Sequence, residues 1–325
     1  MSAAAMSDVK GEFPPCRLED PAAFGRVGLL LGGASAEREV SLKGGADIAK
    51  SFERSGIRFE RFDGAAPLLE AAAAGRIDRV FNLMHGPGGE DGAIQGALQL
   101  LQVPVTGSDV LGSALSMDKV RAKWVWERLG IPTAPFHVLG PEAELAEEAA
   151  DAVEALGLPL FVKPTGLGSS IGISKVEDPS ALPAAVELAR RYGDTVVLER
   201  GIDGREYFVG VLGTRTLPLI GIETPNAFYD YEAKYLSEET RYHCPSGLAA
   251  EQERRLGAQA LNAFEALHCS GWGRVDFILD RAGEPWFLEV NTAPGMTDHS
   301  LVPQAAAVLG IGFDELVWRI LETSL

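Results

Sequence analysis

The stretch Gly271-Trp272-Gly273-Arg274-Val275-Asp276-Phe277-Ile278-Leu279, with Pro285-Trp286-Phe287-Leu288-Glu289-Val290-Asn291 after it, reads as two apolar strands carrying polar residues at alternate positions. Between them lies a turn, Asp280-Arg281-Ala282-Gly283-Glu284. A hairpin centred between Ala282 and Gly283 sets Asp276 opposite Glu289 and Arg274 opposite Asn291, and because side chains alternate along a strand all four share one face. Two carboxylates directly across a sheet repel each other, and burying them unpaired costs more again. A divalent cation removes both objections. Asp, Glu and Asn oxygens are hard ligands suited to Mg²⁺, which completes its octahedron with substrate phosphates and water, so the hairpin points to a nucleotide triphosphate. The plain alternative is a solvent-facing polar stripe on a half-buried hairpin. Against it stands the turn-rich loop that follows, Thr292-Ala293-Pro294-Gly295-Met296-Thr297, since loops leading out of strands are where site residues tend to sit.

Working outward, 325 residues with 46% hydrophobic and 23% charged content match an ordinary globular chain of two or three domains. Twenty-nine basic against 46 acidic residues give a net charge of −17, which argues against nucleic acid or an anionic membrane as partner. Cys16, Cys244 and Cys269 are an odd number at unrelated spacings, which fits incidental thiols in a reducing cytosol. No apolar run reaches the length of a membrane span, and the first 24 residues hold acids and prolines where a secretion signal would need an apolar core. Residues 1 to 24 read as a poorly ordered extension.

Arg26-Val27-Gly28-Leu29-Leu30-Leu31 is a short apolar run ending in Gly32-Gly33-Ala34-Ser35, the pattern of a buried parallel strand meeting a helix. Ser35 suits the N-cap, and Val40, Ile48 and Phe52 suit the helix's buried stripe. Val80 to Met84 reads as a further strand and Val103 to Gly107 as a third, which makes residues 25 to 110 a doubly wound α/β domain. The spacing predicts a helix from Met117 to Leu129 and an acidic, alanine-rich one from Glu142 to Leu156. Strands at Leu158–Pro164 and Thr195–Glu199 place a mixed α/β region over 111 to 202. A third region, 203 to 325, holds the hairpin and a closing helix through Val317, Ile320 and Leu321.

After the strand ending at Lys163, Gly166-Leu167-Gly168-Ser169-Ser170-Ile171-Gly172 resembles a loop whose N–H groups cradle phosphates. It lacks the Gly-Lys-Ser/Thr of a Walker loop, and Gly32-Gly33-Ala34-Ser35 lacks the dinucleotide spacing. Alone such a turn is more often a plain hairpin; beside Lys163 and the acids, phosphate binding is the better reading. Residues 225 to 245 show no helical or strand period yet hold Tyr229, Tyr231, Tyr235 and Tyr242. A loop that long is a lid or is disordered, and disorder is aromatic-poor.

Together these motifs resemble the D-alanine:D-alanine ligases of the ATP-grasp superfamily. The resemblance rests on Gly32 to Ser41, His85-Gly86-Pro87-Gly88-Gly89-Glu90-Asp91-Gly92, Ser116-Met117-Asp118-Lys119, Gly168-Ser169-Ser170, Tyr229 to Tyr235 and Gly271 to Asp276, and spans roughly residues 26 to 322. It implies a three-domain ATP-grasp architecture in the α/β class: a Rossmann-like N-terminal domain and two α+β domains enclosing the nucleotide. It further implies that ATP phosphorylates one D-alanine carboxylate and that the amine of a second attacks the acyl phosphate, shielded from water by closed lids.

By the same resemblance Asp276, Glu289 and Asn291 hold two Mg²⁺ ions, with Mn²⁺ as a possible substitute, and Arg274 with the N–H of Gly295 stabilises the oxyanion. Lys119, Lys163 and Ser170 fall on the ATP phosphates and Lys234 in the lid on the terminal one, although a lone lysine is more often just solvated. Glu199 and the backbone through Ile202 meet adenine, and Glu206 the ribose; either acid could equally be an ordinary surface residue, and Arg200-Gly201-Ile202 lacks the bulky aromatic of some relatives. Glu37, which the helix dipole favours in a first turn anyway, binds the first D-alanine's amine and joins Ser169 and Tyr235 in a triad. His85 lines the first-substrate pocket, where the ordinary reading of a lone histidine is structural. Ser300 and the N–H of Leu301 take the second D-alanine's carboxylate. Tyr235, where ester-forming relatives tend to carry Phe, suggests an amine nucleophile. A bacterial cytoplasm, peptidoglycan precursor synthesis and a homodimer are further implications. The rival readings are a ligase of other amino or hydroxy acids on the same fold, and a nucleotide-binding sensor without turnover, which would have no need of an oxyanion donor.

Overall fold

The computed structural model describes residues 13–143, 145–166, 168, 171–224, 240–297 and 300–325. Its first sheet is parallel, in the order β2-β1-β3, formed by β1 (Arg26–Leu31), β2 (Arg58–Asp63) and β3 (Arg79–Asn82). As its apolar run predicts, β1 is central and its Val27, Leu29 and Leu30 are fully buried. The edge strand β2 escapes a sequence reading because Arg-Phe-Glu-Arg-Phe-Asp looks like exposed polar chain, and only Phe62 is buried. Val103 to Gly107, expected as a strand, makes one isolated bridge, Val80 to Val105.

Helix α1 (Arg38–Ser55) buries Ile48 and Phe52 as its spacing predicts, but Val40 sits at the rim of a cleft instead. Glu37, not Ser35, occupies the N-cap; Ser35 Oγ accepts from Glu37 N at 3.3 Å and shapes the turn just before it. Helices α2 (Ala65–Ala73) and α3 (Ala93–Leu100) complete this layer. The helix expected over Met117 to Leu129 is two helices, α4 (Val110–Met117) and α5 (Lys119–Leu129). Asp118 breaks them: it adopts an extended conformation, and its carboxylate caps α5 by accepting from Arg121 N at 3.0 Å.

The second sheet is antiparallel, in the order β4-β7-β5-β6, from β4 (Phe136–Leu139), β5 (Leu160–Pro164), β6 (Ser174–Val176) and β7 (Val196–Arg200). Helices α6 (Leu145–Leu156) and α7 (Leu182–Arg190) pack on it over a core of Leu160, Val162, Val186 and Leu198. The third sheet runs β11-β10-β8-β12-β13, with β9 on β8, from β8 (Gly204–Leu212), β9 (Arg215–Thr216), β10 (Ile220–Glu223), β11 (Arg241–His243), β12 (Trp272–Asp280) and β13 (Pro285–Asn291). The aperiodic stretch from 225 to 245 therefore ends in a strand, short enough to show no alternation. One face of this sheet, with Val209, Val275, Phe277 and Phe287, packs with α8 (Ala250–Ala266) in a single apolar core.

The chain closes through α9 (Leu301–Val308) and α10 (Phe313–Glu322), and α10 puts Val317, Ile320 and Leu321 into the same core as Phe52 of α1. Residues 13 to 24 differ from the poorly ordered extension that composition suggests. Leu18 N donates to Glu322 Oε1 at 2.8 Å, Arg319 donates to Pro14 O at 2.8 Å, and the fully buried Phe24 stacks edge-on against Trp318 at 4.9 Å. Its few aromatic and aliphatic side chains suffice because α10 offers both an apolar face and charged partners.

The decisive hairpin pairs Arg274 with Asn291 and Asp276 with Glu289, as its sequence predicts, by an unpredicted route. Nearer the turn the register is one residue shorter, Phe277 facing Phe287, so the hairpin centres on Ala282 and a β-bulge between Asp276 and Phe277 restores the offset.

Candidate active site

A cleft of about 350 Å³ opens where the first and third sheets meet the start of α5. From the N-terminal side come Glu37 at the head of α1 and His85 beyond β3; Lys119 enters from the first turn of α5. From the third sheet come Arg274 of β12 and Glu289 and Asn291 of β13, and from the loop and helix beyond come Gly295, Ser300 and Leu301. Residues scattered over more than 260 positions thus share one wall-to-wall space. Gly168 also reaches it, and a Cβ there would come within 3.3 Å of Glu37 Oε2. Ser169, Ser170, Lys234 and Tyr235 lie outside the described residues.

Charge in the cleft is arranged in pairs. Arg274 grips Asp276 bidentately, Nε and Nη2 each 2.7 Å from a carboxylate oxygen, with its guanidinium 5.0 Å from the centre of the Phe208 ring. Asp276 is 2% exposed, so the fork supplies the counter-charge its burial requires. Lys119 Nζ stands 3.3 Å from Glu289 Oε2. Asn291 Oδ1 accepts from Ala293 N at 3.1 Å, which aims the amide at the mouth of the following loop.

Ser300 is the N-cap of α9 but makes no capping bond to it. Its hydroxyl instead accepts from Thr297 N at 2.9 Å and pairs with Thr297 Oγ1 at 2.9 Å. Leu301 and Val302, in the first turn of α9, line the cleft and give it a helix N-terminus, which suits a carboxylate. Gly295 is there for room, since a Cβ would lie 3.1 Å from Ser300 Oγ.

His85 is buried and held neutral, pushed well below the ordinary imidazole range by burial, with Glu37 and the backbone of Ala293 opposing. Its Nε2 has no hydrogen-bond partner among the described residues. Beside it Glu90, 8% exposed, accepts from Gly86 N at 2.6 Å. Burial first and then the neighbouring Glu37 push its carboxyl up to about 8, so it carries a proton at neutral pH. Glu90 lies in a motif the sequence singles out, but nothing in its spacing distinguishes a buried acid from the exposed acid next to it.

The remaining expected nucleotide residues stand outside this cleft, toward the second sheet. Glu199 at the end of β7 is 3% exposed and bonded to Lys163 Nζ at 2.6 Å and Lys123 Nζ at 2.7 Å. Burial alone would raise its carboxyl; the two ammonium groups outweigh that and hold it at about 2. Ile202 lies in the connection from β7 to β8, and Glu206 sits on β8 opposite Ile278. Lys123 was missed by the sequence reading, although its place four residues after Lys119 puts both on one face of α5.

For a metal, the described residues hold no group of three or more His, Cys, Asp or Glu side chains. The hairpin offers two carboxylates and an amide. That donor set is hard and all-oxygen, and it fits an ion that takes its other ligands from phosphates and water.

A family model described as D-ala D-ala ligase C-terminus matches residues 125–322, and one described as D-ala D-ala ligase N-terminus matches residues 60–108. The chain belongs to the D-alanine:D-alanine ligase family. It is 51% identical over 308 residues to a D-alanine--D-alanine ligase of Methylococcus capsulatus, covering 95% of this chain and 98% of that one. Among solved structures it is similar to the Bacillus anthracis D-alanine--D-alanine ligase complexed with ATP, at 31% identity and a TM-score of 0.80, with 92% and 97% covered. It is also similar to the VanG D-Ala:D-Ser ligase of Enterococcus faecalis, at 30% identity and a TM-score of 0.81, with 92% and 99% covered. With these structural neighbours, the three sheets of the chain form the three-domain ATP-grasp arrangement that the motifs imply.

Proposed function

We propose that this chain is an ATP-dependent ligase that joins two D-alanines into D-alanyl-D-alanine for peptidoglycan precursor synthesis. The observation that carries this reading is the cleft itself: a carboxylate suited to an ammonium, and a guanidinium and a helix N-terminus suited to the oxygens of two amino acids, converge in about 350 Å³. Family membership and similarity to an ATP-complexed ligase support ATP as the activating reagent.

Glu37 receives the ammonium of the first D-alanine, and His85, neutral and with Nε2 unpartnered among the described residues, lines that pocket as an acceptor. Phosphorylation of the first carboxylate gives an acyl phosphate, whose phosphate is a far better leaving group than oxide. Ser300 Oγ and Leu301 N hold the second D-alanine by its carboxylate, which turns its amine toward the acyl carbon. Arg274 and Gly295 N stabilise the oxyanion as that amine adds, and phosphate departs. Lys119 and Lys163 meet the ATP phosphates, joined by Ser170 and, from the lid, Lys234; Glu199, Ile202 and Glu206 serve adenine and ribose. Glu37 joins Ser169 and Tyr235 in a hydrogen-bonded triad. Asp276, Glu289 and Asn291 would hold Mg²⁺, two ions with Mn²⁺ as substitute, and the metal when bound neutralises charge on the phosphates. A cytoplasmic homodimer is the expected form.

The test is ADP release by the purified chain with D-alanine, L-alanine, D-lactate or D-serine, with the product identified by mass. D-alanine-dependent ADP and the dipeptide mass are expected. ADP formation that ignores D-alanine would overturn the reading, and a preference for D-serine would move the chain to the other ligase class.

A further inference from the structure

Both oxygens of Glu199 are occupied, and the two lysines that occupy them are not equivalent. Lys123 is 1% exposed, and beyond its carboxylate partner it donates to Thr133 Oγ1 at 2.6 Å and Ala134 O at 3.1 Å. An ammonium has three donors, so Lys123 has nothing left to offer a ligand. Lys163, on the other oxygen, is 12% exposed at the end of β5 and leads into the glycine-rich loop that reaches the cleft at Gly168.

Burial draws the Lys123 ammonium below its ordinary range and Glu199 against it opposes that; with both lysines charged, these two cations and one anion carry a net charge of +1. Without Lys123 the balance would be zero, and Glu199 would have Lys163 as its one ion-pair partner among the described residues. A buried carboxylate does not release its last counter-ion readily, because the uncompensated charge is heavily penalised. Lys163 would then stay bound to the protein when an anionic ligand arrived.

We propose that Lys123 is the standing counter-ion of Glu199, and that its charge frees Lys163 to bind the phosphates of a nucleotide. Lys123 is thus a positioning residue, acting through Glu199 without touching the ligand. Thr133 anchors it from behind, since the Thr133 hydroxyl also donates to Phe287 O on β13 at 2.8 Å. This rests on the reading of the site as an ATP site.

The experiment is a double-mutant cycle on the full chain, read by calorimetric titration with Mg·ADP in the absence of D-alanine. Lys123→Met is expected to weaken ADP binding by about tenfold or more, whereas the same change made on a Glu199→Gln background should cost less than about threefold, because no carboxylate is left to claim Lys163. Lys123→Arg keeps the charge and should stay within about threefold of the native chain. Lys123→Gln is carried alongside, since it drops the charge and retains hydrogen bonding if the methionine variant fails to fold. A packing role predicts equal losses in both backgrounds, and that result, or a Lys123→Met chain with native affinity, overturns the counter-ion role. A native chain that binds neither ADP nor ATP would instead sink the nucleotide reading on which the inference stands.

Discussion

Phe287 and Glu289 lie two residues apart on β13 and yet face opposite sides of the sheet. Regular alternation would place them on the same side. The bulge opposite Asp276 breaks the period, so that Phe287 is fully buried with Phe277 while Glu289 enters the cleft across from Asp276. The bulge thus re-aims one carboxylate without giving up the aromatic core beneath it, which is how bulges beside active sites commonly serve.

Glu289→Gln keeps the shape of the side chain and removes its charge. It should lower kcat by about a hundredfold or more at saturating Mg²⁺, since the charge acts on phosphates that bear more negative charge as the reaction proceeds. The fold should survive, because the residue is only partly enclosed and its neutral isostere keeps an oxygen for Lys119, 3.3 Å away. ADP release against circular dichroism checks both halves, and near-native turnover would remove Glu289 from the phosphoryl-transfer step.

On the other face, Phe287→Ala empties a fully buried position between Phe277 and Trp126. The expected loss of stability is about 3–5 kcal/mol by denaturant unfolding, the usual cost of an aromatic cavity. A loss under about 1 kcal/mol would mean that the bulge collapses to fill the gap.

The hairpin was legible because its polar positions alternate and its turn is short, so that only one register aligns the acids. The bulge was not, since Leu288 is apolar and looks like any core residue until its partner strand is known. Strand β2 was hidden by its own charge, as edge strands often are. Lys119 and Arg274 could be picked out from motifs and Ser300 from the family resemblance, whereas Lys123 and Glu90 could not. Both owe their character to burial by other elements, and no single sequence displays what a lysine on α5 will find when β7 packs over it. Residues 225–239 of the expected lid, with Lys234 and Tyr235, fall outside the described residues, so its reading still rests on its tyrosines and the family motif.

Room at the end of the cleft yields a sharper test of substrate placement. Gly295→Ala would bring a Cβ to within 3.1 Å of Ser300 Oγ, which already takes the Thr297 N–H. The hydroxyl must move, so KM for the second D-alanine should rise by about tenfold while KM for the first changes little. Initial-rate kinetics over a wide D-alanine range separate the two constants, and an equal rise in both would place Ser300 elsewhere.

Glu90 connects the site to pH. Its ordinary value is 4.5, and burial followed by repulsion from Glu37 raises it to about 8 in the folded chain. Between those two values the folded protein keeps a proton that the unfolded chain has lost, so this group's contribution to stability declines as pH rises through the window. Glu90→Gln preserves an oxygen for the Gly86 N–H, bonded at 2.6 Å, and does not titrate. Relative to the native chain the variant should therefore be nearly neutral at about pH 5 and gain on the order of 1 kcal/mol or more by about pH 8. Urea unfolding of both chains across that range decides it. A difference that stays flat with pH would mean that Glu90 is ionised in the fold, and the site would then hold two adjacent negative carboxylates where a single one is expected to meet the ammonium of the first substrate.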